Sequence, residues 1–110
     1  MYPKAKLHQK LADVFRRTGE SQQAKRHEGL KLYAMGKEAW LKDELSDAKI
    51  HLQAATQLVE DHAHAWFYLA ETLRLLGQAE QARQAYQRCL AVNPDHGRAL
   101  RGIARINDPR

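Results

Sequence analysis

The sequence predicts an all-α fold of antiparallel helix pairs stacked side by side, and three observations predict it. The first is composition. Ala, Leu, Gln, Arg, Lys and Glu dominate the 110 residues, β-branched residues are scarce, and proline occurs only at positions 3, 94 and 109, a bias toward strong helix formers. The second is spacing. Trp66, Leu69, Ala70 and Leu73 follow the i, i+3, i+4, i+7 pattern of one helix face, and Ala82, Tyr86 and Cys89 continue it beyond Gly77. The third is self-similarity at an offset of 34 residues. It sets Leu32 on Trp66, Met35 on Leu69, Gly36 on Ala70, Ala39 on Leu73, Ala48 on Ala82, Leu52 on Tyr86, Ala55 on Cys89 and Leu58 on Val92. A further step sets Trp66 on Leu100, Leu69 on Ile103 and Ala70 on Ala104. Small residues meet small ones and large apolar residues meet large ones, as expected of a repeated supersecondary unit.

Taken in order, the predicted helices span 4–17, 21–42, 45–59, 63–76, 79–92 and 97–106. Leu11, Ala12 and Phe15 stripe the first, and Gly19 marks its turn. The second keeps helical spacing through Ala24, Glu28, Leu32, Met35 and Ala39, so it is expected to be one helix. A break at Gly29 is the rival reading, since a mid-helix glycine costs roughly 1 kcal/mol against alanine. Asp43 stands at the next turn. The 63–76 helix ends at Gly77, where a left-handed residue is cheapest as glycine. The 79–92 helix ends before Pro94, because proline pushes the preceding residue out of the helical region. Ala70 and Ala82 are small where two backbones must approach closely.

These residues resemble the tetratricopeptide repeat, whose pattern is W-x2-L-G-x2-Y, then A-x3-F, then P. Residues 63–96 carry it as Trp66, Leu69, Ala70, Leu73, Ala82, Tyr86 and Pro94, with Ala for Gly and Leu for Tyr. Residues 29–62 look like a second copy through Leu32, Met35, Gly36, Ala39, Ala48 and Leu52. That copy departs where Asp43 replaces the turn glycine and Glu60 the closing proline. Residues 5–28 look like a shortened first unit, about ten residues short, and 97–106 like a capping helix, giving a single domain over 1–110. The resemblance implies a right-handed superhelix with the first helix of each pair on its concave side.

Mapped by that resemblance, the concave positions are Leu30, Tyr33, Lys37, Trp40 and Leu41, then His64, Phe67, Glu71, Arg74 and Leu75. Arg98, Arg101 and Arg105 continue the surface on one face of the last helix. Leu32, Met35 and Leu69 are assigned to the core, which leaves Tyr33, Trp40 and Phe67 for a groove suited to a helix or extended peptide. The alternative is that helix 4–17 folds over these rings, or that a second copy buries them. The family's carboxylate clamp uses Lys and Asn at set positions. Tyr33, Ala34, Lys37, Phe67, Tyr68 and Glu71 occupy them here, so capture of a chaperone tail is not implied, though another acidic ligand could meet the three arginines.

Charge is unevenly spread. Residues 1–31 carry eight Lys/Arg against three Asp/Glu, 32–62 three against six, and 63–110 seven against four, for nets of +5, −3 and +3. The basic end beside an acidic middle suits self-association or acidic partners. No apolar stretch reaches the roughly 18 residues of a membrane span. The basic start leads into no apolar signal region, so a cytoplasmic location is expected.

Catalytic and metal sites are not indicated. The single cysteine, Cys89, falls on a small core position and excludes an internal disulfide. No Ser/His/Asp set, phosphate loop or Cys-x-x-Cys occurs. His62 and His64 point apart, and His62 and His96 fall at repeat-equivalent linker positions, where solvated imidazoles are expected and neither a metal nor another cofactor is called for. The sequence therefore reads as a non-enzymatic interaction or scaffold module. It would bind a protein or peptide partner, or a second copy of itself, through the concave face. Nonspecific nucleic-acid binding is the second class, because the chain is basic but shows no one-base-per-repeat code.

Overall fold

The computed structural model describes the backbone of residues 4–108 and the side chains of 19–108. Within them the chain forms five α-helices and no strand: α1 (Lys4–Leu41), α2 (Leu45–Leu58), α3 (Ala63–Leu75), α4 (Ala79–Val92) and α5 (Gly97–Asn107). The last four match their predicted spans to within a residue.

The N-terminal third differs from expectation. The predicted helices 4–17 and 21–42 are a single 38-residue helix, and Gly19 lies inside it, not at a turn. The segment after Gly19 explains why. Residues 20–28 are exposed throughout and supply good helix formers but almost no apolar stripe. A second helix folded back at Gly19 would have nothing to bury, so the hydrogen-bond ladder propagates. One continuous helix also carries the backbone of 4–17 away from the inner face along its own axis, so the alternative in which that segment folds over the rings is not what forms. Continuity through Gly29 is as predicted. Gly29 is buried, and a Cβ there would lie 2.2 Å from Val59 Cγ2 and 3.1 Å from Leu58 Cβ. Glycine is kept for the close approach of α2, which offsets its poor propensity.

Both turns that close a first helix have the same construction. Gly77 has φ +81° and Asp43 φ +61°. The amide of Glu44 donates to the Ala39 carbonyl (2.8 Å) and that of Asp43 to Trp40 (3.1 Å); Gln78 donates to Leu73 (2.9 Å) and Gly77 to Arg74 (3.0 Å). These are paired Schellman bonds around a left-handed residue. Aspartate takes the position because its short polar side chain tolerates that conformation better than most. Asp43 thus replaces the turn glycine without loss of the turn.

The core lies between the pairs. Ala48, Leu52, Ala55, Ala70, Ala82, Tyr86, Cys89 and Ala99 are essentially inaccessible. Ala48 and Ala82 let α2 and α4 approach their partners, as their size suggests. Two core expectations fail. Met35 is 40% exposed, because the face of α1 against α2 is built from Gly29, Gly36 and Ala39. Phe67, expected on the groove surface, is only 4% exposed and belongs to the core. It packs against Tyr68, Tyr86 and His96, with ring centroids 5.1, 6.3 and 5.1 Å away.

Helix adjacency shows how the stack bends. α1 touches α3 and α3 touches α5, whereas α2 and α4 do not touch each other. The layer formed by α1, α3 and α5 is the more closely spaced, so the stack curves toward it. On the opposite side α2 and α4 diverge around a cleft lined by Trp66, Leu69, Leu73 and Arg88. The described helices extend over 72 × 27 × 19 Å.

Candidate functional site

The inner face centres on two consecutive residues of α3. Successive residues on a helix point about 100° apart, so Phe67 leans toward α5 and Tyr68 toward α1. The Tyr68 ring lies 5.2 Å from that of Trp40, edge-on, and 6.1 Å from that of Tyr33. Lys37 Nζ sits 5.5 Å above its centroid. On the other side the Arg98 guanidinium lies 4.4 Å over the Phe67 ring and 5.7 Å from that of Tyr68. It also reaches the Tyr68 hydroxyl at 3.5 Å. Two neighbouring rings of α3 are thus roofed by cations from α1 and α5, an arrangement that holds the Arg98 guanidinium against the wall. Burial, reinforced by Tyr68, pushes the Tyr33 phenol above its ordinary range. The Trp40 indole N–H is enclosed without an acceptor.

Beside this cluster a cleft of about 180 Å³ opens between α3 and α5, lined by Phe67, Glu71, Arg98, Arg101 and Arg105. Its one carboxylate is already committed. Glu71 accepts a hydrogen bond from the Tyr86 hydroxyl and pairs with Arg74 Nη2 at 2.8 Å. Desolvation, with Glu71 alongside, raises the Tyr86 phenol far above its usual value. Glu71 and Arg74 therefore close an internal network and are not free contact residues. Arg98, Arg101 and Arg105 are all exposed.

A histidine row borders the cleft. His62 Nδ1 accepts the Ala65 amide (3.0 Å) and His96 Nδ1 accepts the Ala99 amide (3.1 Å). Each imidazole caps the N-terminus of the helix that follows it, a role normally filled by Ser, Thr, Asp or Asn. They are not the solvated linker side chains that their position suggests: His96 is buried and His62 half-buried, its ring tilted against that of Tyr33 at 4.5 Å. His96 Nε2 and His64 Nδ1 are 3.3 Å apart. Desolvation, with His64 nearby, lowers the tendency of His62 and His96 to take a proton. No group of three or more metal-ligating side chains is present among the described residues. Cys89 is fully buried, and burial pushes its thiol up to about 11, a value that disfavours the nucleophilic thiolate.

Of the sequence-assigned site residues, the structure brings together Tyr33, Lys37 and Trp40 around Tyr68. It sets Phe67, Glu71, Arg98, Arg101 and Arg105 around the cleft, and His64 beside His96. Leu41 and Leu75 are exposed at the ends of α1 and α3 and do not line the cleft. Sequence reasoning missed Tyr68, because the repeat template gives the groove to its neighbour Phe67. It also missed His62 and His96 as caps, although both stand directly before a helix start at the 34-residue offset.

Curved helix pairs, Schellman turns and small residues at the crossings define an all-α helical repeat. Over residues 63–106, which hold α3, α4 and all but the last residue of α5, the chain matches the family model of the tetratricopeptide repeat. Repeats of this kind generally mediate protein–protein contacts and serve as non-enzymatic scaffolds. No curated protein matches the chain. No described helix is long and apolar enough to cross a membrane.

Proposed function

We propose that this chain is a non-enzymatic docking module that holds a segment of a partner protein on the face formed by the C-terminal half of α1, α3 and α5. One observation carries this reading: two cation-roofed rings of α3, packed against rings of α1, lie beside a cleft shared with α5, on the side toward which the stack curves. Aromatic and arginine side chains on a pre-formed wall supply contact area at low entropic cost. Catalysis has no support in the side chains of the cleft, where the one acid is neutralised and the thiol is sealed in the core.

Site-specific photo-crosslinking tests it. A benzophenone side chain at Lys37 or Arg101 should capture a partner in extracts of the native host, identified by mass spectrometry, while the same group at Gln84 on the outer side should not. Equal capture from both sides would refute an inner-face site. Tyr33→Ala with Lys37→Ala should weaken capture while leaving helicity intact.

A further inference from the structure

We infer that the α5 side of this face reads an internal acidic segment of its partner, held extended, with Arg98, Arg101 and Arg105 each donating to side-chain carboxylates. The inference rests on the inner-face reading above and deepens it by naming the ligand's chemistry.

The three arginines follow i, i+3 and i+7 on one helix, so their Cα atoms span about 10 Å along its axis. They crowd one cleft with Phe67 and Glu71. Arg26, Lys42, Arg74 and Arg83 all have carboxylate partners. Arg98, Arg101 and Arg105 form no ion pair with another described residue, and the contacts of Arg98 are to Phe67 and Tyr68. Glu71 cannot serve them, since Arg74 and Tyr86 hold it. Three like charges on one edge repel each other, and an acidic ligand relieves that repulsion on binding. Arg98 is already held over the Phe67 ring, so its fork loses little freedom on meeting a carboxylate.

Spacing sets the ligand's form. An extended chain rises about 3.3 Å per residue and presents alternate side chains to one side. Carboxylates two residues apart, about 6.6 Å along such a chain, therefore fall within side-chain reach of successive arginines set about 4.5 and 6 Å apart along the helix axis. A single terminal carboxylate would engage one step of it and leave the others unmatched. Polyanionic nucleic acid offers the charge but not the fit. The rings beneath Arg98 are buried, Phe67 at 4% and Tyr68 at 6% exposure, so they offer no open face for base stacking beside the arginines.

Fluorescence anisotropy on the full chain tests this with three defined probes. One is a fluorescein-labelled, C-terminally amidated ten-residue peptide with Asp at alternate positions; another is the same peptide with Asn there; the last is a ten-nucleotide single-stranded RNA. The Asp peptide should bind about tenfold more tightly than the Asn peptide, as expected for three partly exposed charge pairs. The triple variant Arg98→Gln, Arg101→Gln, Arg105→Gln should abolish that preference, and Lys49→Gln with Arg88→Gln on the outer side should not. The three arginines are exposed, and an unchanged circular dichroism melt will confirm folding. The Asp/Asn contrast in the unaltered chain needs no variant at all. Equal binding of the two peptides, lost in Tyr33→Ala with Lys37→Ala, overturns the acidic ligand while leaving the inner face as the docking surface. Binding indifferent to both sets of inner-face substitutions overturns both readings. RNA binding tighter than the Asp peptide and sensitive to the triple variant overturns the inference in favour of nucleic acid. Failure of the Asp peptide to bind below about 1 mM overturns it outright.

Discussion

Phe67 illustrates how a side chain can border a cleft and still belong to the core. Its ring packs against Tyr68, Tyr86 and His96 and lies under Arg98. Truncation leaves a cavity as well as losing transfer free energy, so Phe67→Ala should destabilise the fold by about 3 kcal/mol in a denaturant melt. An unaltered midpoint would place the ring on the surface after all. The variant is therefore a poor probe of binding, and Tyr33 and Lys37 are better ones. The capping histidines make a second prediction. Protonated, His62 and His96 would turn Nδ1 from acceptor to donor and place positive charge at a helix N-terminus, both unfavourable. Arg26 and His64 around His62, and His64 and Arg98 around His96, oppose the proton, while Asp61 weakly favours it at His62. Both groups are held below their ordinary value of 6.5 when folded. As pH falls below about 6.5 the unfolded chain takes up protons first, so their contribution is complete above that pH and drains away toward the folded-state values. The melting temperature should drop between pH 7.5 and 5. The drop should shrink in His62→Asn with His96→Asn, since asparagine caps without titrating. An equal drop in that double variant would show that other groups set the pH dependence.

The turns between paired helices show which elements were legible and why. Asp43 and Gly77 occupy one register and one backbone region, yet only glycine reaches it without a Cβ penalty. Asp43→Gly should therefore raise stability by about 0.5 kcal/mol, while Gly77→Ala should lower it by about 1 kcal/mol. Chemical melts of the two variants measure both, and a loss in Asp43→Gly would mean that the aspartate side chain itself holds the turn. The 34-residue register exposed this turn despite the missing glycine, because Ala39, Ala48 and Leu52 around it repeat as Leu73, Ala82 and Tyr86. The same reasoning failed at Gly19. Glycine permits a reversal but does not drive one, and the polar run 20–28 gives a returning helix no face to bury. Met35 misled for a related reason: on α1 the crossing is made by Gly36 and Ala39, where the absence of bulk is the packing signal. The cleft was half readable. The arginine spacing on α5 and the i,i+3 pairing of Glu71 with Arg74 are plain in the sequence, but the hydrogen bond that Tyr86 brings to Glu71 from α4 is one that no linear spacing reveals.

Across the whole molecule, stability should follow neighbours. In a stacked array each helix is held chiefly by those beside it, so the interior is the most stable and the ends the least. α3 touches each of the other four helices, and α4 contributes the fully buried Ala82, Tyr86 and Cys89. At the other extreme, side chains of residues 20–28 are exposed along a helical stretch that tertiary packing does not cover, and a helix without packing is marginal in water. Native-state hydrogen exchange should therefore give a steep gradient. Amides of residues 69–73 and 86–89 should exchange only on near-global unfolding, whereas those of 22–28 should exchange within about a hundredfold of an unstructured chain. Gly29 marks the boundary, since its contact with Val59 is where α2 begins to support α1. Strong protection across 22–28 would contradict the gradient and imply that something covers this part of α1. If that protection weakened on dilution, the cover would be a second copy; if it were independent of concentration, it would come from within the chain.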